Sequence, residues 1–257
     1  MFLIPIGLVL ALSFTDATPL GSNYLRIFSV PVYLKVLANT LSTGLGVTLI
    51  ALLLGYPMAY LLSTLPTRSA TLVMGMVVLP WFTSLLVRSF AWTVLLGQAG
   101  VINKALLSLE LIDRPLPLLY SIFGVYVATV HILLPYMVLT LYGVMRGIDR
   151  SLVRAANAAG ASPWRAFVHV YFPLSLPGVA GGCVLVFIMA IGFYITPALL
   201  GGPRQMMIAQ MIANEMLESL NWGFGAALAT VLLVLTAAGL AMFNNIFGLH
   251  RFMGGAR

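Results

Sequence analysis

Long apolar segments separated by short polar stretches constrain the fold of this chain more than any other feature. A helix needs about 20 mostly apolar residues to cross a bilayer, and several segments reach or approach that length. Only 7% of the 257 residues are charged, whereas a soluble domain carries roughly 25%. The chain therefore lacks the charges that cover a water-exposed surface. The pattern predicts an all-α integral membrane protein with one transmembrane domain, residues 1–257.

Six membrane spans are predicted from the positions of these segments. The first, Phe2–Leu12, has only about half of the required length, and we interpret it as the outer end of a span whose start is missing or unusually short. A polar loop is predicted from 13 to 36, and another from 98 to 117. The remaining spans are Thr40–Leu62, Thr71–Leu96, Leu118–Met145, Leu176–Leu200 and Ala226–Phe247. Between the last two, Gly201–Phe224 is predicted to form a re-entrant or interfacial helix.

The distribution of lysine and arginine predicts the orientation, because the loops richer in these residues stay in the cytoplasm. One side carries seven: Arg68, Arg146, Arg150, Arg154, Arg165, Arg251 and Arg257. The other side carries five over longer loops: Arg26, Lys35, Lys104, Arg114 and Arg204. Residues 149–178 and both termini are therefore predicted to be cytoplasmic. The net charge of +7 then reflects orientation beside membrane lipid rather than binding to nucleic acid.

Residues 149–178 are the one long polar interruption with the signals of ordered structure, a short helix–turn–helix. Ser151–Ala159 has a helical composition. Gly160 ends that helix because a residue without Cβ enters the left-handed region at little cost. Ser162 and Pro163 are suited to the N-cap and the first position of a second helix. The second helix is predicted to end at two proline-containing turns, Phe172-Pro173 and Leu176-Pro177-Gly178.

This stretch resembles the cytoplasmic coupling loop of ABC-importer permeases, whose pattern is EAA-x3-G-x9-I-x-LP. In this chain Arg154 stands where the family usually has Glu. The resemblance implies that the loop docks into a groove on an ATPase subunit; an ordinary amphipathic connector is the alternative. The residues implied in ATPase coupling are Arg154, Ala155, Ala156, Gly160, Ala161 and Pro173.

Further motifs extend the resemblance over about residues 37–250. The motifs Gly55–Tyr60 (GYPMAY), Leu79–Trp92 (LPWFTSLLVRSFAW) and Leu200–Pro203 (LGGP) are similar to the spermidine/putrescine subfamily of binding-protein-dependent transport permeases. The resemblance implies the type I importer (MetI-like) fold in a bacterial inner membrane. It also implies three kinds of partner: a second homologous permease, two ATP-binding cassette subunits and a periplasmic solute-binding protein. The implied solute is a polyamine, and the alternatives within the class are an opine, 4-aminobutyrate or another amino-acid-like solute.

The chain lacks the residues of an ATPase site. A Walker A loop needs Gly-Lys to hold phosphates, and neither of its two lysines, Lys35 and Lys104, follows a glycine. ATP and magnesium are therefore expected on partner subunits, with no catalytic site, cofactor or metal site in this chain. The alternative of another class, an ion-coupled secondary transporter, usually needs acidic residues within its spans. None of the six acidic residues lies in a predicted span.

Four residues are candidates for the substrate path: Trp81, Arg88, Trp92 and Glu215. Arg88 is the costliest residue to place in a membrane, at roughly 2.5–3.5 kcal/mol near the centre. We interpret it first as a structural arginine bonded to carbonyls or to the partner subunit, and second as a contact to the solute. The tryptophans also suit packing or interface anchoring, and Glu215 also suits a solvated loop.

Overall fold

The computed structural model describes residues 3–16 and 20–247, and every element that these residues form is helical. His250, Arg251 and Arg257, which contribute to the predicted cytoplasmic C-terminus, lie outside the described residues. The helices are α1 (Leu3–Thr15), α2 (Ser22–Ser29), α3 (Pro31–Thr64), α4 (Thr67–Val78), α5 (Leu85–Leu96), α6 (Val101–Ser108), α7 (Ile122–Arg146), α8 (Arg150–Ala158), α9 (Pro163–Ala166), α10 (Phe172–Ile191), α11 (Ile195–Leu200), α12 (Ile208–Ala213) and α13 (Trp222–Phe247).

Five segments of the described chain are long and apolar enough to cross a membrane. They are Pro31–Thr64, Leu85–Ser108, Ile122–Arg146, Pro163–Ile191 and Trp222–Ala241. Helix α1 is apolar but has only 13 residues, so it is shorter than a full span. The prediction of an all-α membrane protein is confirmed, while the first of the six predicted spans is present only as this short helix.

The predicted loop from 13 to 36 is wrong, because most of it is helical. Helix α2 and the first turns of α3 occupy it. Ile27 of α2 is fully buried in a cluster with Leu37 and Phe224, whereas Leu25 and Phe28 are exposed. The polar residues here were interpreted as a loop, yet one apolar face packed against a core is enough to stabilise a short helix.

The third predicted span, Thr71–Leu96, is not one helix. Helix α4 ends at Val78, a single 3-10 turn covers Leu79–Phe82, and Thr83 is extended with φ −98° and ψ 148°. Proline at 80 has no N–H for a helical bond and its ring crowds the carbonyl one turn earlier, which explains why the α-helix ends just before it. The predicted loop 98–117 also contains a helix, α6.

The fifth span also differs from its prediction. Helix α10 continues through Pro177 to Ile191, and 195–200 form the separate helix α11. Neither Pro173 nor Pro177 ends α10, although the sequence predicted a helix end at both. A π turn over Phe167–Tyr171 precedes α10, and there the N–H of Phe172 bonds to the carbonyl of Phe167. The wider turn accommodates Pro173, whose ring would otherwise clash with a carbonyl one turn earlier.

The chain forms two compact units. The first contains the described residues up to Gly46 with Ser84–Thr129 and Ile188–Met242, and the second contains Val47–Thr83, Val130–Phe187 and the described residues from Phe243 to Phe247. The first unit contains two separate buried clusters, one formed by Leu96, Ala128 and Leu200 and the other around Phe224.

The second unit relies on glycines that allow helices to approach α7 closely. A Cβ added at Gly55 would lie 2.9 Å from Cγ of Met137, and one at Gly182 would lie 2.7 Å from Sδ of the same methionine. A Cβ at Gly178 would lie 3.0 Å from Cβ of Val144. Small residues at such contacts are typical of membrane helix packing. They fix α3 and α10 against α7, the helix that leads into residues 149–178.

Candidate functional site

Asp149 starts the predicted helix–turn–helix by capping α8. Its Oδ1 accepts from the N–H of Ser151 at 2.8 Å, and its Oδ2 accepts from the Ser151 hydroxyl at 2.6 Å. The hydroxyl and the N–H of Ser151 hold the pKa of Asp149 below its ordinary value, because both bonds favour the charged carboxylate. The carboxylate satisfies a backbone donor that the helix leaves without a partner.

Gly160 ends α8 in the left-handed region, with φ +90°, as predicted. The N–H of Gly160 bonds to the carbonyl of Asn157, and the N–H of Ala161 bonds to that of Ala156, both at 3.0 Å. This pair of bonds is the Schellman arrangement, which requires a residue of positive φ at the position of Gly160. The turn thus follows from the local sequence.

Ser162 and Pro163 open α9 as predicted. The Ser162 hydroxyl oxygen accepts from the N–H of Arg165 at 3.4 Å, and Pro163 occupies the first position of the helix. Helix α9 has only four residues and passes directly into the π turn Phe167–Tyr171 and then into α10. The second helix of the motif is therefore the start of the following long helix, rather than a separate piece that ends at Pro173.

The six residues predicted to couple to an ATPase all lie in this segment, and none of them is fully buried. Arg154, Ala155, Gly160 and Pro173 are exposed, and Ala156 and Ala161 are half-buried. Two exposed apolar residues were missed: Trp164 is 72% exposed and Leu152 is 48% exposed. The signal for Trp164 was an aromatic residue in the first turn of a short helix. We refer to the exposed side chains of α8 and α9 as the α8–α9 surface.

Trp81 belongs to the second unit and packs against Tyr136 of α7. Their ring centroids lie 4.3 Å apart at an interplanar angle of 41°. The indole Nε1 of Trp81 is buried and has no hydrogen-bond partner among the described residues. The packing interpretation of Trp81 therefore has direct support, and a role in the substrate path stays a prediction.

Arg88 and Trp92 lie one turn apart on α5 of the first unit, so they share a face of that helix. Both are half-buried, and Trp92 packs against the cluster of Leu96, Ala128 and Leu200. Nε and Nη1 of Arg88 are buried without a hydrogen-bond partner in the described part of the chain. Among the described residues, no carbonyl bonds to these two nitrogens.

Glu215 lies in another element of the first unit. It is half-buried in a π turn over Asn214–Glu218, and its carbonyl accepts from the N–H of Asn221 at 2.8 Å. The predicted helix in 201–224 is present, with α12 and this π turn together covering 208–218. Within the described residues, no three His, Cys, Asp or Glu side chains come together as a metal site.

Comparisons with known proteins agree with this architecture. The chain is 37% identical over 243 residues to the spermidine/putrescine transport system permease protein PotB of Haemophilus influenzae, covering 91% of this chain and 85% of the relative. It is 34% identical over 221 residues to PotB of Escherichia coli, covering 86% and 80%.

A bacterial ABC transporter that imports the acidic polysaccharide alginate has a similar fold, with a TM-score of 0.71. The identity is 18%, and the match covers 93% of this chain and 87% of that one. The family model described as the binding-protein-dependent transport system inner membrane component matches residues 4–247. The chain therefore belongs to that family and is a multi-pass inner-membrane permease component.

Proposed function

We propose that this chain, as a single permease domain, is a subunit of an ATP-driven importer for polyamines such as spermidine and putrescine. The assembly would contain a second, homologous permease, two ATP-binding cassette subunits and a periplasmic solute-binding protein. The solute would cross at the interface of the two permeases as ATP binding and hydrolysis switch the access side. The names of the relatives that are 34–37% identical support the solute class.

The exposed α8–α9 surface is the observation that carries the coupling role. A capped helix and a Schellman turn connect the long apolar helix that ends at Arg146 to the one that begins at Pro163, and α9 is the start of the latter. The exposed Trp164 and Leu152 of this surface are apolar, and exposed groups of this kind in a polar setting mark protein interaction sites. An ATPase subunit would cover them in the assembly.

The charges of this surface indicate the chemistry of that partner. Arg154 and Arg165 are exposed, whereas the carboxylate of Asp149 is already engaged by Ser151. The surface is thus cationic, and the matching groove on the ATPase subunit would carry carboxylates. Arg154 in place of the family's usual Glu fits such a reversal of charge.

A second solute class is favoured by Arg88. None of the six acidic residues lies within the five membrane-spanning segments, while Arg88 lies in one of them. A cation repels a polyamine and attracts a carboxylate. A zwitterionic or carboxylate-bearing solute, such as 4-aminobutyrate or an opine, is therefore the alternative. For a polyamine, the second permease would supply acidic or aromatic contacts.

Equilibrium binding to the cognate solute-binding protein separates the two classes. Putrescine, spermidine, 4-aminobutyrate and an opine would each be titrated by calorimetry under one buffer condition. We expect tight binding of a polyamine and no heat from the carboxylate-bearing solutes. Tight binding of 4-aminobutyrate or the opine, with no polyamine binding, would overturn the polyamine assignment and leave the importer class intact.

A further inference from the structure

The last turn of α3 meets the first residue of α8 within the second unit. The final carbonyls of a helix have no partner within it. Among them, the Ser63 carbonyl accepts a hydrogen bond from Nη2 of Arg150. A cation at a helix C-terminus is also favoured by the helix dipole. Arg150 therefore caps a helix that lies 87 positions away in the sequence.

The hydroxyl of Ser63 makes a second link to the same region. It donates to the carbonyl of Tyr60 at 2.7 Å, so its oxygen is left to accept. The hydroxyl of Tyr171 lies 3.1 Å away and must be the donor. Tyr171 is only 4% exposed and ends the π turn before α10. Ser63 is thus held from both ends of the helix–turn–helix.

Aromatic contacts form a second connection between the same elements. Tyr60 meets Phe167 and Tyr171 edge to face, with centroids 5.7 and 5.0 Å apart. Phe167 stacks on the exposed Trp164 at 5.9 Å. Such ring pairs stabilise a contact beyond the area that they bury. A continuous row of rings therefore connects the α8–α9 surface to the end of α3.

We propose that Arg150 and Tyr171 are positioning residues that, with Ser63, make the end of α3 and the α8–α9 surface move as one body. We call these three residues the Ser63 latch. The inference rests on the proposed docking of an ATPase to the α8–α9 surface. A displacement imposed on that surface reaches α3 through the latch and the ring row. The π turn that ends at Tyr171 is part of this connection, and π turns are frequent at functional sites.

The first test replaces Arg150 with methionine in the assembled complex, reconstituted in proteoliposomes with its binding protein. Loss of a charge-assisted bond should lower solute uptake per assembled complex about tenfold. The ATPase subunits should still co-purify and hydrolyse ATP. Because uptake falls, more ATP is hydrolysed for each solute molecule transported. Arg150→Lys keeps a cationic donor and should recover most of the uptake.

Arg146→Met is the matched control. Arg146 is exposed and lies in the same cytoplasmic region, but it bonds to Tyr142 within its own helix, at 2.7 Å. It should leave the ratio of ATP hydrolysed to solute transported unchanged. An equal ratio in Arg150→Met and Arg146→Met would overturn the latch. Absence of ATP-driven uptake in the wild-type complex would contradict the proposed function instead.

Tyr171→Phe tests the latch without changing charge or fold. It removes one hydroxyl and keeps the ring contacts, so uptake should fall about threefold, as expected for one neutral hydrogen bond. Tyr60→Phe removes a hydroxyl from the same ring row but keeps the Tyr171–Ser63 bond, and it should transport like the wild type. Equal uptake by both variants would contradict the role of Tyr171.

A covalent link provides the rescue. Ser63→Cys with Arg150→Cys, in a Cys183→Ala background, breaks the latch and should couple poorly. A short bis-maleimide bridge between the two cysteines should restore the low ratio of ATP hydrolysed to solute transported. If the bridge instead abolishes uptake or leaves the ratio high, the two elements do not need to move together, and the latch is wrong.

Discussion

Gly160 shows how one residue decides the geometry of the α8–α9 surface. Its φ of +90° lies in a region that costs an L-residue with a side chain roughly 1–2 kcal/mol. A Cβ at this position would meet nothing within 4 Å. Within the chain itself, a substitution here therefore strains the backbone rather than causing a steric clash.

At the residue scale, we predict that Gly160→Val lowers ATP-driven uptake, because a β-branched side chain disfavours the left-handed conformation. Uptake per assembled complex and co-purification of the ATPase both measure the effect, and both should fall. Gly75→Val is the matched control, since its added Cβ also meets nothing within 4 Å, and its glycine lies within α4 without positive φ. If Gly160→Val behaves like this control, the turn does not shape the docking surface.

At the element scale, the prolines separate what sequence predicts from what it does not. The sequence predicts a helix through Pro80 and a helix end at Pro173, and the structure shows the reverse at both positions. A proline always removes one N–H, but the outcome depends on how the neighbouring turn adapts. Before Pro173 the chain forms a wider π turn, and around Pro80 it leaves the helix. That choice depends on packing, which one segment does not contain.

The candidate site divides in the same way. The turn at Gly160 and the helix start at Ser162 depend on residues up to five positions away, so local rules predicted them. The cap at Asp149 is equally local, because its carboxylate bonds to Ser151, but it was not predicted. The bonds from Arg150 and Tyr171 to Ser63 join positions 87 and 108 residues apart. Such pairs leave no local pattern, and only the folded chain shows them.

Also at the element scale, the lowered pKa of Asp149 gives α8 a defined pH dependence. The folded-state pKa lies below the ordinary value of 3.8, so the stability from the cap is complete above that value. It is lost as the pH falls through the lowered pKa. We predict that Asp149→Ala speeds hydrogen exchange of the first-turn amides of α8 at neutral pH, and that the difference from the wild type closes at acidic pH.

Asp149→Asn is the control for this element, because its side-chain oxygen still accepts from the N–H of Ser151 and does not titrate. In Asp149→Asn, the first-turn amides of α8 should be protected from exchange at neutral pH about as well as in the wild type. After correction for intrinsic exchange rates, this protection should not decrease in acid. Identical exchange of the wild type and Asp149→Ala at neutral pH would show that the cap does not stabilise α8.

At the scale of the whole molecule, the chain combines long apolar helices with a sequence that lacks the residues of a nucleotide site. Five long apolar helices suit a permease, and the family assignment agrees. The chain has no Gly-Lys pair for nucleotide phosphates and no acid within these helices for an ion site. In the proposed function, an ATPase subunit supplies the energy at the α8–α9 surface.

The central claim is tested most directly by solute uptake into proteoliposomes that contain the complete complex and the binding protein. The account predicts uptake of labelled spermidine or putrescine that requires both ATP and the binding protein, and that persists when proton and sodium gradients are collapsed by ionophores. Uptake driven by an ion gradient without ATP would contradict it and identify an ion-coupled transporter.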